Sequence, residues 1–149
     1  LREEKEWGYV SDSDFLDRMA PFVMESGSVQ ILGDTYDYAI VNQEFEPRLP
    51  GFVGLVDKVL FIANKTPAEY REYIFWHEVM CVAKNNRKNC VDTVRAELER
   101  VPEAIRSAYV SYLYEFFNAL VIYFHSNQPP FSGEIVRSRD YLASLHRQV

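Results

Sequence analysis

The stretch Lys58–Ala83, KVLFIANKTPAEYREYIFWHEVMCVA, marks the point where the chain changes from strands to helices. Its first six residues, Lys58–Ala63, are nearly all apolar and predict a short buried strand. Thr66 then suits a helix N-cap, Pro67 suits the first helical position, and Glu69 completes a capping box. A helix is therefore predicted from Thr66 to the end of the stretch.

The residues before this stretch predict one helix and a hairpin. Ser11–Met24 has a helical apolar face, although Pro21 is expected to kink or shorten the helix. Val29–Leu32 and Thr35–Asn42 are short strand patterns separated by the turn residues Gly33 and Asp34, so they predict an antiparallel hairpin. A turn is predicted at Glu25–Ser28 and a loop at Glu44–Gly54.

The residues after this stretch predict three more helices. They are Val91–Arg100, Glu103–Phe124 and an amphipathic helix that begins at Ser132 or Gly133. The inner positions of this last helix are expected to be Ile135, Tyr141, Leu142 and Leu145. The order of elements predicts an α+β fold, with a small antiparallel sheet of about three strands near the N-terminal half packed on a mostly helical C-terminal half. The length of 149 residues predicts a single domain, 1–149.

Charge and hydropathy argue against nucleic-acid and membrane binding. The net charge is −6, and the short basic run Lys84, Arg87 and Lys88 is interrupted by asparagines, so it is interpreted as a solvated loop. The apolar stretch Ala108–Phe124 is interrupted by polar residues and is shorter than the roughly 20 residues of a membrane span. A protein or peptide partner is the expected kind of partner, and a homo-oligomer is compatible with the sequence.

The cysteines and the N-terminus bear on the compartment. The two cysteines, Cys81 and Cys90, are too few for a disulfide framework, and the apolar neighbours of Cys81 predict a buried thiol. The charged segment Leu1–Trp7 has no apolar core of a secretory signal. Together these features favour a reducing compartment, and we expect a cytoplasmic location.

Two polar residues, His77 and Glu78, lie in the middle of an otherwise apolar helix. A helix that is apolar all round is buried, and an unpaired carboxylate in such a place costs several kcal/mol. Glu78 is therefore expected to have a partner, which could be a basic side chain, a metal-bound water or a polar group of another helix.

The segment His77-Glu78-Val79-Met80-Cys81 resembles the zinc-binding helix of zincin metallopeptidases, and the preceding strand resembles the lead-in of the ImmA/IrrE group. Cys81 stands where that family has its second histidine. Together with this departure, the resemblance implies a zincin-like domain whose peptidase chemistry is degenerate or lost. It implies zinc held by His77 and Cys81 on one helical face, with Glu78 as the general base.

The resemblance also implies a third ligand on a later helix. Glu115 is the expected ligand, because it lies in a polar stripe with Ser111 and Asn118 on an otherwise apolar helix, and His125 continues that face. Asp92 and Glu97 are weaker alternatives, since their helix is expected to be amphipathic and exposed.

A second hypothesis needs no metal. His77 could bond to Glu115 or to a backbone carbonyl inside the core, which would make the pair purely structural. The aromatic residues Tyr109, Tyr112, Phe116 and Tyr123 lie at helical spacings and are typical of a core or of a subunit interface. The alternative function is therefore a noncatalytic protein-binding or regulatory domain. A pair of Cys81 or Cys90 with a histidine as a thiol nucleophile is disfavoured by the apolar surroundings of Cys81 and the expected exposure of Cys90.

Overall fold

The computed structural model describes residues 11–49, 51–84, 90–127 and 132–146, with residues 90, 123–127, 132–135 and 146 described by their backbone alone. The chain divides into two compact units, Leu1–Arg71 and Glu72–Val149. The α+β class is confirmed, because all described strands lie in the first unit and most of the helices lie in the second. The prediction of one domain over the whole chain stays a prediction.

The N-terminal unit contains one helix and a four-stranded mixed sheet. The elements are α1 (Asp12–Met19), β1 (Val23–Ile31), β2 (Asp34–Val41), β3 (Val53–Val56) and β4 (Val59–Ala63). Their order in the sheet is β1-β2-β4-β3. The outer pairs are antiparallel, whereas β2 and β4 run parallel. The sheet therefore has one strand more than the predicted three or so, and its β2–β4 pair is parallel where antiparallel pairing was predicted.

The first helix is shorter than predicted, and the first strand is longer. α1 ends at Met19, and a 3₁₀ turn over Ala20–Phe22 follows, because Pro21 lacks the N–H that would continue the α-helical pattern. β1 then runs through the predicted turn at Glu25–Ser28. Most of its side chains are exposed, so this edge strand shows no alternation of apolar residues that the sequence could reveal.

The hairpin between β1 and β2 is confirmed, with its turn one residue earlier than predicted. Ile31 pairs with Asp34, so Leu32 and Gly33 form a two-residue turn. Both have positive φ angles, 52° and 85°, as the hairpin turn that matches the strand twist requires. Leucine is strained there, whereas glycine is not.

β3 overlaps the end of the predicted loop Glu44–Gly54. The prolines and glycines of that segment are typical of a loop, so the strand was not predicted. Gly54 is directly opposite Phe61 of β4, and a Cβ atom at Gly54 would lie 2.4 Å from that phenyl ring. Glycine therefore allows the ring to pack flat on the strand. The rings of Phe15, Phe45, Phe52 and Phe61 form the aromatic core of this unit, with centroids 5.1–6.2 Å apart.

The C-terminal unit is helical. α2 (Arg71–Glu78) follows a 3₁₀ turn at Ala68–Tyr70 and continues as a π-helical segment, Val79–Ala83. The later helices are α3 (Cys90–Arg100), α4 (Glu103–Asn127) and α5 (Ser132–His146). All lie close to their predicted positions. α5 packs against α3 and α4, and the π segment contacts α3.

The inner face of α5 is confirmed at Leu142, which is fully buried, while Tyr141 and Leu145 are half-buried. The side chain of Ile135 lies outside the described residues. Over the parts of the chain that the structure describes, no helix is long and apolar enough to cross a membrane.

Candidate functional site

A buried histidine–carboxylate pair joins two helices of the C-terminal unit. His77, in the last turn of α2, has its Nδ1 atom 2.7 Å from Oε1 of Glu97 in α3. The Glu97 side chain is only 1% exposed and that of His77 is 15% exposed. A buried carboxylate without partners costs several kcal/mol, so Glu97 depends on the groups that bind it.

Tyr109 of α4 is the second partner of Glu97. Its hydroxyl donates a hydrogen bond to Oε2, the other carboxylate oxygen. Burial first, and then the negative charge of Glu97, raise the pKa of Tyr109 far above its ordinary value of 10.0. The phenol therefore stays protonated and remains a donor to Glu97 at every ordinary pH.

Cys81 completes the chain of polar contacts on the other side of His77. Its Sγ atom lies 3.3 Å from His77 Nε2, and Cys81 is a buried thiol within the π-helical segment. Residues four positions apart lie on the same helical face, which brings the thiol to the imidazole. Sγ, the imidazole, the carboxylate and the phenol thus form one relay, Cys81–His77–Glu97–Tyr109, which we call the polar relay.

Two aromatic rings pack against the polar relay. The Phe117 ring contacts His77 with its centroid 6.3 Å away, and the Tyr73 ring contacts Tyr109 at 5.8 Å. The guanidinium of Arg100 lies 4.9 Å from the centre of the Trp76 ring. Apolar walls lower the local dielectric, and this strengthens the hydrogen bonds of the relay.

Glu115 does not occupy the buried position expected for a third ligand. It is exposed on α4, and the carboxylate that binds His77 belongs to Glu97. In the polar stripe of that helix, Asn118 accepts a hydrogen bond from Arg139 of α5 and Ser111 is half-buried. The expectation of a buried Glu115 was therefore wrong: its side chain is exposed, whereas the other two residues of the stripe are half-buried.

The sequence contained a signal for Glu97 that the prediction of an exposed helix overlooked. Glu97 follows Val94 by three residues and precedes Val101 by four, so it lies on the apolar face of α3. Both valines are buried. Asp92, the other alternative, is exposed and forms an ion pair with Arg95. The helix is amphipathic as predicted, but Glu97 is on its inner side.

The other predicted site residues have less defined roles. Glu78 is half-buried next to His77. The side chains of His125 and Cys90 lie outside the described residues. In the part of the chain that the structure describes, no group of three or more His, Cys, Asp or Glu side chains could hold a metal ion. Two donor atoms, Nε2 of His77 and Sγ of Cys81, are nevertheless adjacent, so the zinc prediction stays a prediction.

Comparison with known proteins found no similar protein: no protein-family model, no curated protein and no solved structure matches this chain. The zincin resemblance is therefore a prediction from five residues, and the geometry of the polar relay is the firmest basis for a functional proposal.

Proposed function

We propose that this chain is a noncatalytic protein-binding domain of regulatory type, in which the polar relay is structural. The observation that carries the proposal is the burial of Glu97 between His77 and Tyr109. Its two oxygens bind side chains from two other helices. One carboxylate thus ties α2, α3 and α4 together, and this role requires neither substrate nor metal.

The exposed face of α4 supports the protein-binding part of the proposal. We define it by Tyr112, Glu115, Ala119 and Ile122, which follow one another at helical spacings of three and four. Ile122 is 65% exposed, and Glu115 is the one charged residue of the four. Tyr112 and Ala119 are half-buried, so Ile122 is the exposed apolar side chain of this face. Exposed apolar side chains with few charges around them are typical of the centre of a protein interface.

Elemental analysis and thermal unfolding test the structural role of the relay. The chain, purified without a metal-affinity tag, is compared with His77→Ala. We expect no stoichiometric metal in either protein and a clearly lower Tm in the variant. An unchanged Tm in His77→Ala would contradict a structural relay.

Substitution at the exposed face tests partner binding. Ile122→Glu places a charge at the most exposed apolar residue of the α4 face, and Glu115→Gln is a change on the same face that removes a charge instead. The immobilised chains are exposed to an extract of the source cells, and the retained proteins are quantified. We expect one protein to be retained by the original chain and by Glu115→Gln but lost with Ile122→Glu. Equal retention by all three would contradict this face as the binding site.

A zincin-like domain is the second candidate, and one observation favours it. Nε2 of His77 and Sγ of Cys81 are 3.3 Å apart, a separation that suits two ligands of one metal ion. Glu97 would hold Nδ1, as carboxylates commonly hold metal-binding histidines. Zinc would supply polarisation of a bound water, and Glu78 would be the general base. About one zinc per chain, lost in His77→Ala, would favour this candidate over the first.

A further inference from the structure

The same relay also has the order of groups that activates a nucleophile: a thiol, an imidazole and a carboxylate. We infer that Cys81 is a nucleophilic thiol and a site of covalent modification by small disulfides, with His77 as its general base. The inference rests on the distances within the relay and does not depend on the protein-binding proposal.

The geometry assigns a separate role to each group. An activated nucleophile has a base within hydrogen-bond reach, and a third group orients that base. Sγ of Cys81 is 3.3 Å from Nε2 of His77, and Nδ1 is 2.7 Å from Glu97. A proton on Nδ1 leaves Nε2 as the acceptor that faces the thiol. Glu97 is therefore a positioning residue, since it acts on Cys81 only through the imidazole.

Tyr109 fixes the carboxylate in turn. Its hydroxyl donates to Oε2, so that Oε1 is left for His77. Once the imidazole has accepted a proton, the carboxylate stabilises the positive charge that forms on the ring. A buried cysteine whose neighbours are all apolar is inert. Cys81 differs because it has a base, His77, which is held in place by a carboxylate and a phenol.

Two local features affect the reaction of Cys81: the access of the reagent to the sulfur and the stability of a negative charge there. Cys81 is 5% exposed, so only a small molecule can reach the sulfur without opening the unit. Cys81 also lies near the end of the helix that carries His77, where the helix dipole disfavours negative charge. His77 offsets this effect because it takes the proton as the sulfur attacks. The π-helical turn itself is a form often found at functional sites.

The reaction is a thiol–disulfide exchange. Sγ attacks one sulfur of the small disulfide while its proton passes to Nε2 of His77. A bond forms between Cys81 and that sulfur, the disulfide bond of the reagent breaks, and the second sulfur leaves as a thiolate that takes up the proton. The product is a mixed disulfide on Cys81, and no further oxidant is needed.

The experiment uses the full chain with Cys90→Ser, so that Cys81 is the remaining cysteine, and 4,4′-dithiodipyridine as the probe. Its coloured leaving group reports the rate at pH 7, first for the folded chain and then in urea. We expect the folded chain to react about tenfold faster than the unfolded chain, since general-base assistance is worth at least that much. A folded chain that reacts more slowly than the unfolded one would overturn the inference, and this comparison needs no further variant.

Variants assign the effect to the relay. We expect His77→Asn to lower the folded rate about tenfold or more, while Glu99→Gln, an exposed change on α3, leaves the rate unchanged. The ¹⁵N shifts of the His77 ring should show the proton on Nδ1. In Glu97→Gln they should show the proton shared between Nδ1 and Nε2. An unchanged rate in folded His77→Asn, or an unchanged ring spectrum in folded Glu97→Gln, would contradict the assigned roles.

Discussion

The carboxylate of Glu97 lies 2.7 Å from Nδ1 of His77, although twenty residues separate the two in the sequence. This contact joins α3 to α2, and Tyr109 extends it to α4. Because the carboxylate is almost completely buried, its partners decide whether the helical unit tolerates the charge.

Removal of the carboxylate should destabilise the chain strongly. Glu97→Ala leaves a cavity and deprives both His77 and Tyr109 of their partner. We expect the free energy of unfolding to fall by about 3–5 kcal/mol, as is typical when a buried pair is broken. Urea unfolding followed by circular dichroism measures the change. Glu115→Ala is the matched control: it removes an exposed glutamate and should change stability by at most about 0.5 kcal/mol.

Tyr109→Phe should have a smaller effect, because it deletes a single hydroxyl and keeps the ring. We expect a loss of about 1.5–3 kcal/mol, the usual value of a hydrogen bond to a charged group. Tyr38→Phe is the same chemical change at an exposed contact, where the hydroxyl is 3.3 Å from Glu25. Surface changes are usually within about 0.5 kcal/mol, so equal losses in the two variants would contradict the special role of Tyr109.

Stability should decrease at alkaline pH. The pKa of Tyr109 is raised in the folded chain, mainly by burial, whereas in the unfolded chain it returns to about its ordinary value of 10.0. A group with a raised folded pKa contributes its full stabilisation below the unfolded pKa. That stabilisation is lost as the pH rises above the unfolded pKa, and the loss continues towards the folded value.

Urea unfolding between pH 9 and about 11 tests this dependence, since above the unfolded pKa one such group lowers the free energy of unfolding by about 1.36 kcal/mol per pH unit. Tyr109→Phe should show a shallower decline than the original chain over this range. Parallel curves for the two proteins would show that other groups dominate the alkaline loss.

Leu32→Asn should stabilise the hairpin between β1 and β2. Leu32 is 45% exposed and has a φ angle of 52°, a conformation that costs an L-residue such as leucine about 1–2 kcal/mol. Asparagine before Gly33 is the preferred sequence of such a turn. We expect a higher free energy of unfolding by about 1 kcal/mol, whereas Leu32→Ala keeps the strain and should give no such gain. A loss of stability in Leu32→Asn would indicate a different turn.

Several elements could be predicted because they depend on local patterns. The helix from α2 into the π segment, and α3 to α5, follow from apolar periodicity and from breaks at prolines and asparagines. The hairpin of β1 and β2 follows from two short strand patterns, Val29–Leu32 and Thr35–Asn42, and from the turn residues between them. β3 and most of β1 were not predicted. β3 is a short strand next to prolines and glycines, and β1 is an exposed edge strand, so neither shows apolar alternation.

The site was predicted in part. The pairing of His77 with Cys81 on one helical face follows from their spacing, and the structure brings them together. The carboxylate was assigned to Glu115, yet the structure supplies Glu97. Each glutamate lies on a helix that also carries apolar residues, and the side of a helix that becomes buried depends on the helices packed against it.

The sequence by itself determined the α+β class, the helices, the need of the buried polar residues for partners, and the proximity of Cys81 to His77. These properties depend on composition and on contacts within a few residues. Only the tertiary structure decided the parallel pairing of β2 with β4, the choice of Glu97 over Glu115, and the bond from Tyr109. Those contacts join segments distant in the chain, and helices can pack in several rotations that satisfy the same apolar pattern.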